Sequence, residues 1–162
     1  MTWQNEMVRI VRFLINDLDA TTYEDCRLEE TILVAVQLLI DQLDFANTYT
    51  VDVDSLVLSP DPTTLTTKDN FFINVASIKA ACIVLGSEAK TLAAQSARIK
   101  DGPSSIDISS AYQSVHQLYK ELCDKLDKMI LDYNAGNSVA GQAVLTPYTY
   151  EGIDGTVIRN FN

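Results

Sequence analysis

Four segments of this chain place apolar residues at steps of three and four, the spacing of one face of an α-helix. They cover residues 3–18, about 21–45, 70–97 and 110–134. In the first segment Trp3, Met7 and Leu18 lie on one apolar stripe, while Arg12 and Asp17 lie off it. Because each helix must bury its apolar face, the pattern predicts a mainly α fold, with four helices packed antiparallel in a four-helix bundle-like core.

Polar residues at the starts of these segments fit helix capping. Thr21 with Glu24 and Thr22 with Asp25 are alternative capping boxes before the second segment, and Thr66 with Asp69 precedes the third. Leu33 and Val34 widen the second stripe, so we expect the second helix to be the most enclosed. Gly86 interrupts the third segment at a cost of about 1 kcal/mol relative to alanine, yet the residues after it favour helix to about Ala97.

A short β element is expected between the second and third helices. Residues 48–58 alternate, with Tyr49, Val51 and Val53 on one side and Thr50, Asp52 and Asp54 on the other. This period of two predicts a strand or a short hairpin. Pro60 and Pro62 end the element, because proline has no N–H to donate and a fixed φ.

The last part of the chain differs in character from the helical part. Residues 136–162 hold four of the six glycines, and from 144 onward they hold eight large apolar residues: Val144, Leu145, Tyr148, Tyr150, Ile153, Val157, Ile158 and Phe161. The segment is too rich in glycine for helix and has too few residues for a core of its own. We predict a helical domain over 1–134 and an extended C-terminal arm over 135–162. Another chain covers the arm's apolar groups in the interpretation we favour, and its own domain covers them in the alternative.

Charge is distributed unevenly along the chain. The sequence has 12 basic and 22 acidic residues, a net charge of −10, and residues 1–69 alone contain 13 acidic and 4 basic residues. This excess of negative charge argues against tight binding to nucleic acid or to an anionic membrane surface. The acidic first half is either a solvated surface or a face bordering something that should slide past without sticking.

No arrangement of residues in the sequence indicates an active site. The single histidine, His116, has no cysteine near it in sequence, and there is no G-x-S-x-G, Walker A or G-x-G-x-x-G pattern. Asp52, Asp54 and Asp61 resemble the start of a calcium loop, but the positions that need glycine and glutamate hold other residues. We therefore expect no catalytic residues, no metal and no cofactor, and a protein that is not an enzyme.

The cysteines and the N-terminus indicate the compartment. Cys26, Cys82 and Cys123 lie far apart and form no C-x-x-C pair, so we expect buried free thiols in a reducing interior. The first residues lack the apolar region and cleavage site of a signal peptide. No uncharged stretch approaches the roughly 18 apolar residues that would span a membrane. The sequence therefore predicts a soluble protein made in a cytoplasm, with no membrane partner.

The order of these segments, together with three short strings, resembles the head–tail connector adaptor proteins of tailed bacteriophages. The strings are Asp-Pro-Thr at 61–63, Lys-Ala-Ala at 79–81 and the connector RIKDGPSSID at 98–107. The resemblance covers most of residues 3–134. None of these strings is a catalytic signature, so the resemblance implies a structural role.

Several expectations follow from this resemblance. Adaptors of this family form a ring, usually of twelve copies, below the portal protein of the virion, where they extend the DNA channel and dock the next neck or tail-completion protein. The eight apolar residues of the arm would then bind the portal. DNA would pass through the lumen without specific binding, along an acidic face whose candidates are Asp41, Asp44, Asp52, Asp54 and Asp61. The protein would assemble in the host cytoplasm and reside in the neck of the virion.

A different class of protein also fits the sequence. It is a cytoplasmic helical binding or regulatory module whose tail packs on its own domain. The two hypotheses differ in where the C-terminal segment is buried, and therefore in whether the chain acts as a monomer or as part of a ring.

Overall fold

Four α-helices and two short strands make up the computed structural model, which describes residues 2–98 and 108–137. The elements are α1 (Trp3–Ile15), α2 (Asp25–Ile40), β1 (Thr50–Asp52), β2 (Val57–Ser59), α3 (Asn70–Arg98) and α4 (Ile108–Asn137). The predicted mainly α class, with four helices and a short β element, is confirmed. The connector at 99–107 and the arm from 138 onward lie outside the described residues.

The chain divides into two units, Met1–Asp127 and Lys128–Asn162. The first unit contains α1, α2, both strands, α3 and most of α4. Of the second unit, only 128–137 are described, and they form the last turns of α4. The predicted domain boundary between 134 and 135 stays a prediction.

The core of the first unit is centred on α3. Both α1 and α2 pack against α3 and against each other, and the first half of α3 is buried on nearly all sides. Phe72, Val75 and Ala80 are fully withdrawn from solvent, whereas Val34 on α2 is 39% exposed. The expectation that α2 is the most enclosed helix was therefore wrong. The third helix takes that place because α1 and α2 both cover it, and α4 faces it across a groove lined by Leu126.

The first helix ends earlier than its apolar stripe predicted. Asn16 adopts a left-handed conformation with φ 60°, and its N–H donates to the carbonyl of Arg12. Asparagine tolerates this conformation better than most residues, so it closes the helix there. Leu18, two positions after Asn16, is 57% exposed and does not extend the buried stripe.

A β-hairpin follows α2, as the alternation over 48–58 predicted. β1 pairs antiparallel with β2, with Val51 opposite Leu58. The carboxylate of Asp52 accepts hydrogen bonds from the N–H groups of Asp54 and Ser55, at 3.0 and 3.2 Å, and so shapes the turn. Tyr49, just before β1, is buried and stacks on Phe72 of α3, which fixes the hairpin to the core.

Asp69 caps the start of α3. Its Oδ1 accepts a hydrogen bond from the N–H of Phe72 at 3.0 Å, and its Oδ2 accepts one from the hydroxyl of Tyr49 at 2.8 Å. The helix begins at Asn70, as expected, but the predicted capping box with Thr66 was wrong, because Asp69 itself supplies the cap. Burial, followed by the hydrogen bond to Asp69, raises the pKa of Tyr49.

The length and composition of α3 would also allow it to cross a membrane over Asn70–Ala94. In the structure, 61% of the most apolar part of this stretch is buried against other parts of the chain. The third helix thus has the burial of a core helix, which passes the same test of length and hydropathy.

Candidate interaction surfaces

The five aspartates predicted for an acidic channel face fall into two groups. Asp41, at the end of α2, Asp44, in the following loop, and Asp52 and Asp54, in the hairpin turn, are exposed. They belong to the loop and hairpin that follow α2 in the chain. Exposed carboxylates can repel a polyanion, so the positions of these four aspartates are compatible with the predicted acidic face.

Asp61 differs from the other four because its side chain is half-buried and its carboxylate binds a residue far away in the sequence. Oδ2 accepts a hydrogen bond from the N–H of Trp3 at 3.1 Å, and Oδ1 accepts from the N–H and the hydroxyl of Thr63, at 2.9 and 2.6 Å. The N-cap residue of α1, Thr2, makes no capping hydrogen bond with its side chain. Asp61 thus provides a hydrogen-bond acceptor for the first turn of α1, although it lies 58 positions after Trp3 in the chain.

An ion pair reinforces the same end of α1. Lys68, which precedes α3, pairs with Glu6 of α1. Both side chains are partly exposed, at 41% and 26%, so the pair adds little stability by itself. Together with Asp61, it attaches the loop over 61–68 to the beginning of α1.

The turn between α1 and α2 is organised around a buried charge pair. The guanidinium of Arg12 pairs with the carboxylate of Asp17, and it donates to the carbonyl of Tyr23 at 2.7 Å and to Oδ1 of Asp25 at 2.5 Å. Asp17 in turn accepts from the backbone N–H groups of Thr21, Thr22 and Tyr23, at 3.1–3.3 Å. The capping boxes predicted at Thr21 and Thr22 are absent; Glu24 occupies the N-cap position of α2 without a side-chain cap.

The surroundings of Asp17 change its acidity. Burial by itself would raise the pKa of its carboxyl group, but hydrogen bonds from Thr22 and Tyr23 and the charge of Arg12 outweigh burial and lower the pKa below its ordinary value. The folded protein therefore favours the ionised form of this carboxyl group. Sequence periodicity missed this cluster because Arg12 and Asp17 lie off the apolar stripe.

Two exposed apolar surfaces lie on different sides of the three-helix core. The first, which we call the α1 patch, comprises Phe13 and Leu18, 67% and 57% exposed, and the adjoining cavity of about 580 Å³ between α1 and α2. Polar residues at the cavity include Arg9, Asp25 and Glu29. Burial, followed by the charge of Asp25, raises the pKa of Glu29.

The second surface, the α2 patch, comprises Val34 and Leu38, one turn apart and 39% and 45% exposed. Asp25 lies at the edge of the α1 patch, and Val34 comes nine positions later in the same helix. At about 100° per residue this spacing turns the side chain by about 180°. The α1 patch and the α2 patch therefore use opposite sides of α2.

A groove of about 720 Å³ separates parts of α3 and α4. Small residues of α3, Gly86 and Ala89, line it together with the larger residues Tyr112, His116 and Tyr119 of α4. The ring of His116 stacks on that of Tyr112, with centroids 5.5 Å apart, and its side chain is exposed. An exposed, stacked imidazole lacks the desolvated setting typical of a catalytic base.

The three cysteines are not all buried, contrary to the prediction from the sequence. Cys82 is buried and Cys123 is half-buried, whereas Cys26 is exposed. The expectation of three buried thiols was therefore wrong for Cys26, which lies on the outward side of the first turn of α2. Within 2–98 and 108–137, no group of three or more His, Cys, Asp or Glu residues is placed to hold a metal ion.

The residues predicted to bind the portal, from Val144 to Phe161, all lie outside the part of the chain that the structure describes. Comparison with protein-family models, with curated proteins and with solved structures yields no match.

Proposed function

We propose that this chain is a structural virion protein: a head–tail connector adaptor that forms a ring below the portal of a tailed phage. In this role it extends the DNA channel, docks the next neck or tail-completion protein and carries no active site. The observation that supports the proposal best is the pair of apolar patches on opposite sides of α2. The short strings shared with connector adaptors support the same class.

A ring requires two different surfaces on each subunit, because every copy contacts one neighbour with one face and the other neighbour with another. Phe13 and Leu18 offer one such face and Val34 with Leu38 the other. Patches on opposite sides of a helix favour this head-to-tail arrangement over a twofold dimer, in which both copies use the same face. The α1 patch, with its cavity, can receive the side chains of the α2 patch.

Charges around the two patches are complementary. Glu29 borders the α1 patch, while the exposed Arg27 lies about two turns before Val34 on the same side of α2. Arg9 at the α1 patch can likewise pair with Glu30, which also lies on the exposed side of α2. Such pairs would set the register between copies, and the apolar contact would supply most of the affinity.

The acidic surface and the arm complete the proposal. The exposed Asp41, Asp44, Asp52 and Asp54 would repel the phosphates of passing DNA, in keeping with the net charge of −10. The C-terminal arm would reach the portal and bury its apolar residues there. Assembly would take place in the host cytoplasm, and the mature protein would lie in the neck of the virion.

A pair of charge substitutions tests the ring interface. Phe13→Glu should block the α1 patch and Leu38→Glu the α2 patch, so neither variant should form rings on purified portal in mass photometry. A 1:1 mixture should instead give heterodimers, because each variant keeps the face that the other lacks. Val57→Glu, at a hairpin residue that is 47% exposed, is the matched control and should assemble like the unaltered protein.

Two results would count against this proposal. Homodimers of either variant alone would show that the contact is twofold and does not propagate a ring. A wild-type chain that stays monomeric in the presence of portal would instead favour the alternative, a cytoplasmic helical binding module. Circular dichroism of each variant verifies that the helices are intact before assembly is measured.

A further inference from the structure

The groove between α3 and α4 brings two thiols together. Its lining residues pair antiparallel along the two helices, with Cys82 opposite Cys123 and Gly86 opposite Tyr119, one turn further along each helix. Cys82 of α3 and Cys123 of α4 both line this groove. Both residues belong to the first unit of the chain, so the pair is part of one compact body.

The backbone geometry beside this pair favours a close approach of the helices. A Cβ placed on Gly86 would lie 3.1 Å from Cε2 of Tyr119, so the aromatic ring rests almost directly on the backbone of α3. A disulfide needs Cβ atoms about 3.8 Å apart and Cα atoms roughly 4.4–6.8 Å apart, which helices reach only where small residues let them come together. Gly86 supplies such a position one turn from Cys82.

We propose that Cys82 and Cys123 are a disulfide site, oxidised by low-molecular-weight disulfides of the glutathione class, that fastens α4 to α3. The more accessible sulfur of the pair, that of Cys123, attacks one sulfur of the small disulfide and releases one equivalent of thiol. The sulfur of Cys82 then attacks that of Cys123 and releases the second equivalent. Two protein thiols lose two protons and two electrons, and the small disulfide is reduced to two thiols.

The two steps should differ in rate. Cys123 is half-buried and can be reached from solvent, whereas Cys82 is 5% exposed. Burial, followed by the hydrogen bond to Cys123, raises the pKa of Cys82, so little thiolate is present at neutral pH. The second step should therefore limit the rate of closure and accelerate as the pH rises. A reducing cytoplasm would keep the site open, and an oxidising medium would close it.

Closure would change the stability of the first unit. The bond would join α3 and α4 across the chain between residues 82 and 123, which reduces the freedom of the unfolded chain. This inference does not depend on the proposed function, since it concerns only the two helices and their thiols. The disulfide would be a reversible covalent link between α3 and α4. Within the described part of α4, the buried apolar side chains are Leu122 and Leu126.

The experiment incubates the full-length protein with oxidised glutathione at about pH 8.5 and counts free thiols under denaturing conditions. Cys26 is exposed and would itself take up glutathione, so thiols are counted in Cys26→Ser, where we expect the count to fall from two to none. Mass spectrometry of the unaltered protein should find a crosslink between tryptic peptides 80–90 and 121–125. The unfolding temperature should rise by about 5 °C and return when dithiothreitol is added. Cys26→Ser should retain the crosslink, and Cys82→Ser and Cys123→Ser should each lose it.

The outcome that overturns the inference is equally concrete. Two remaining thiols in Cys26→Ser after prolonged oxidation, or crosslinking that requires Cys26, would show that the two groove cysteines cannot be bridged. If Cys82→Ser unfolds the protein, Cys82→Ala provides the same test with a smaller apolar side chain. The peptide map of the unaltered protein decides the question even when both variants fail to fold.

Discussion

Arg12 and Asp17 form an ion pair that is almost fully withdrawn from solvent, with only 10% and 5% of their side chains exposed. Asp17 also holds the backbone N–H groups of three residues in the turn, while Arg12 reaches the carbonyl of Tyr23. A pair of this kind costs desolvation energy when it forms, but removing one member leaves an uncompensated buried charge. The pair therefore fixes the angle at which α2 follows α1.

We expect Asp17→Asn to lower the free energy of unfolding by about 3 kcal/mol, near the lower end of the range for broken buried pairs. Asp25→Asn is the matched control, because the Asp25 side chain also bonds Arg12 but is 70% exposed. It should cost under about 1 kcal/mol. Urea unfolding followed by circular dichroism measures both. Equal losses in the two variants would show that burial does not set the strength of the Arg12 contacts.

The same pair predicts a dependence of stability on acid. The pKa of Asp17 is lower in the folded protein than its ordinary value of 3.8, so the unfolded chain binds this proton first as the pH falls. The contribution of Asp17 is thus complete above its ordinary pKa and is lost as the pH falls through the folded value. Urea unfolding between about pH 6 and pH 2 should show the gap between wild type and Asp17→Asn closing only below about pH 4. A gap that stays constant over this range would contradict the assignment.

Asp61 provides a test of how α1 begins. Asp61→Ala removes the acceptor for the N–H of Trp3 and should lower stability by about 1–2 kcal/mol, the usual cost of losing a helix cap. Asp54→Ala removes the same charge from an exposed turn and should change stability by less than about 0.5 kcal/mol. Thermal and urea unfolding of the two variants measure the difference. If both behave alike, Asp61 acts only through its charge.

Substitution of Ser77, a core residue, should increase the stability of the protein. It is fully buried in α3, and its hydroxyl oxygen has no hydrogen-bond partner. Removing an unsatisfied buried hydroxyl recovers part of its desolvation cost, so Ser77→Ala should raise the free energy of unfolding by about 1–2 kcal/mol. Ser87→Ala, at an exposed position of the same helix, controls for helix propensity and should gain about 0.5 kcal/mol. A loss of stability in Ser77→Ala would mean that its hydroxyl is satisfied in solution.

The arm can be tested separately from the helical core. Replacing Tyr148, Tyr150 and Phe161 with Ser should reduce binding to purified portal at least tenfold, since aromatic side chains often dominate interfaces. The unfolding temperature of the helices should stay within about 2 °C of wild type. Biolayer interferometry and thermal unfolding provide the two readouts. A large drop in unfolding temperature would instead place these residues against their own domain.

Periodicity predicted the helices well because apolar spacing follows directly from helix geometry. Stripe residues such as Met7, Val11 and Leu28 are fully buried, and α3 begins at Asn70 as expected. Periodicity failed where a side chain's partner comes from elsewhere in the chain. Arg12, a polar residue off the stripe, became buried because Asp17 and the turn carbonyl lie close to it.

The candidate surfaces were harder to predict than the fold. Leu18 and Val34 look like core residues in sequence, and only the end of α1 at Asn16 and the packing of α2 on α3 leave them exposed. Asp61 belongs to an acidic set in sequence, but its contact with Trp3 spans 58 positions. Local spacing carries no information about such distant pairs, so an acidic residue that caps a helix resembles one that faces solvent.

Asp69 joins two parts of the fold that are separate in sequence, since its two oxygens hold the first turn of α3 and the hydroxyl of Tyr49. The hairpin cannot detach without exposing this carboxylate, and the helix cannot fray at its start without freeing the tyrosine. Local opening of either part should therefore carry the other with it. In hydrogen exchange, the amides of the hairpin and of the first turn of α3 should behave as one cooperative unit.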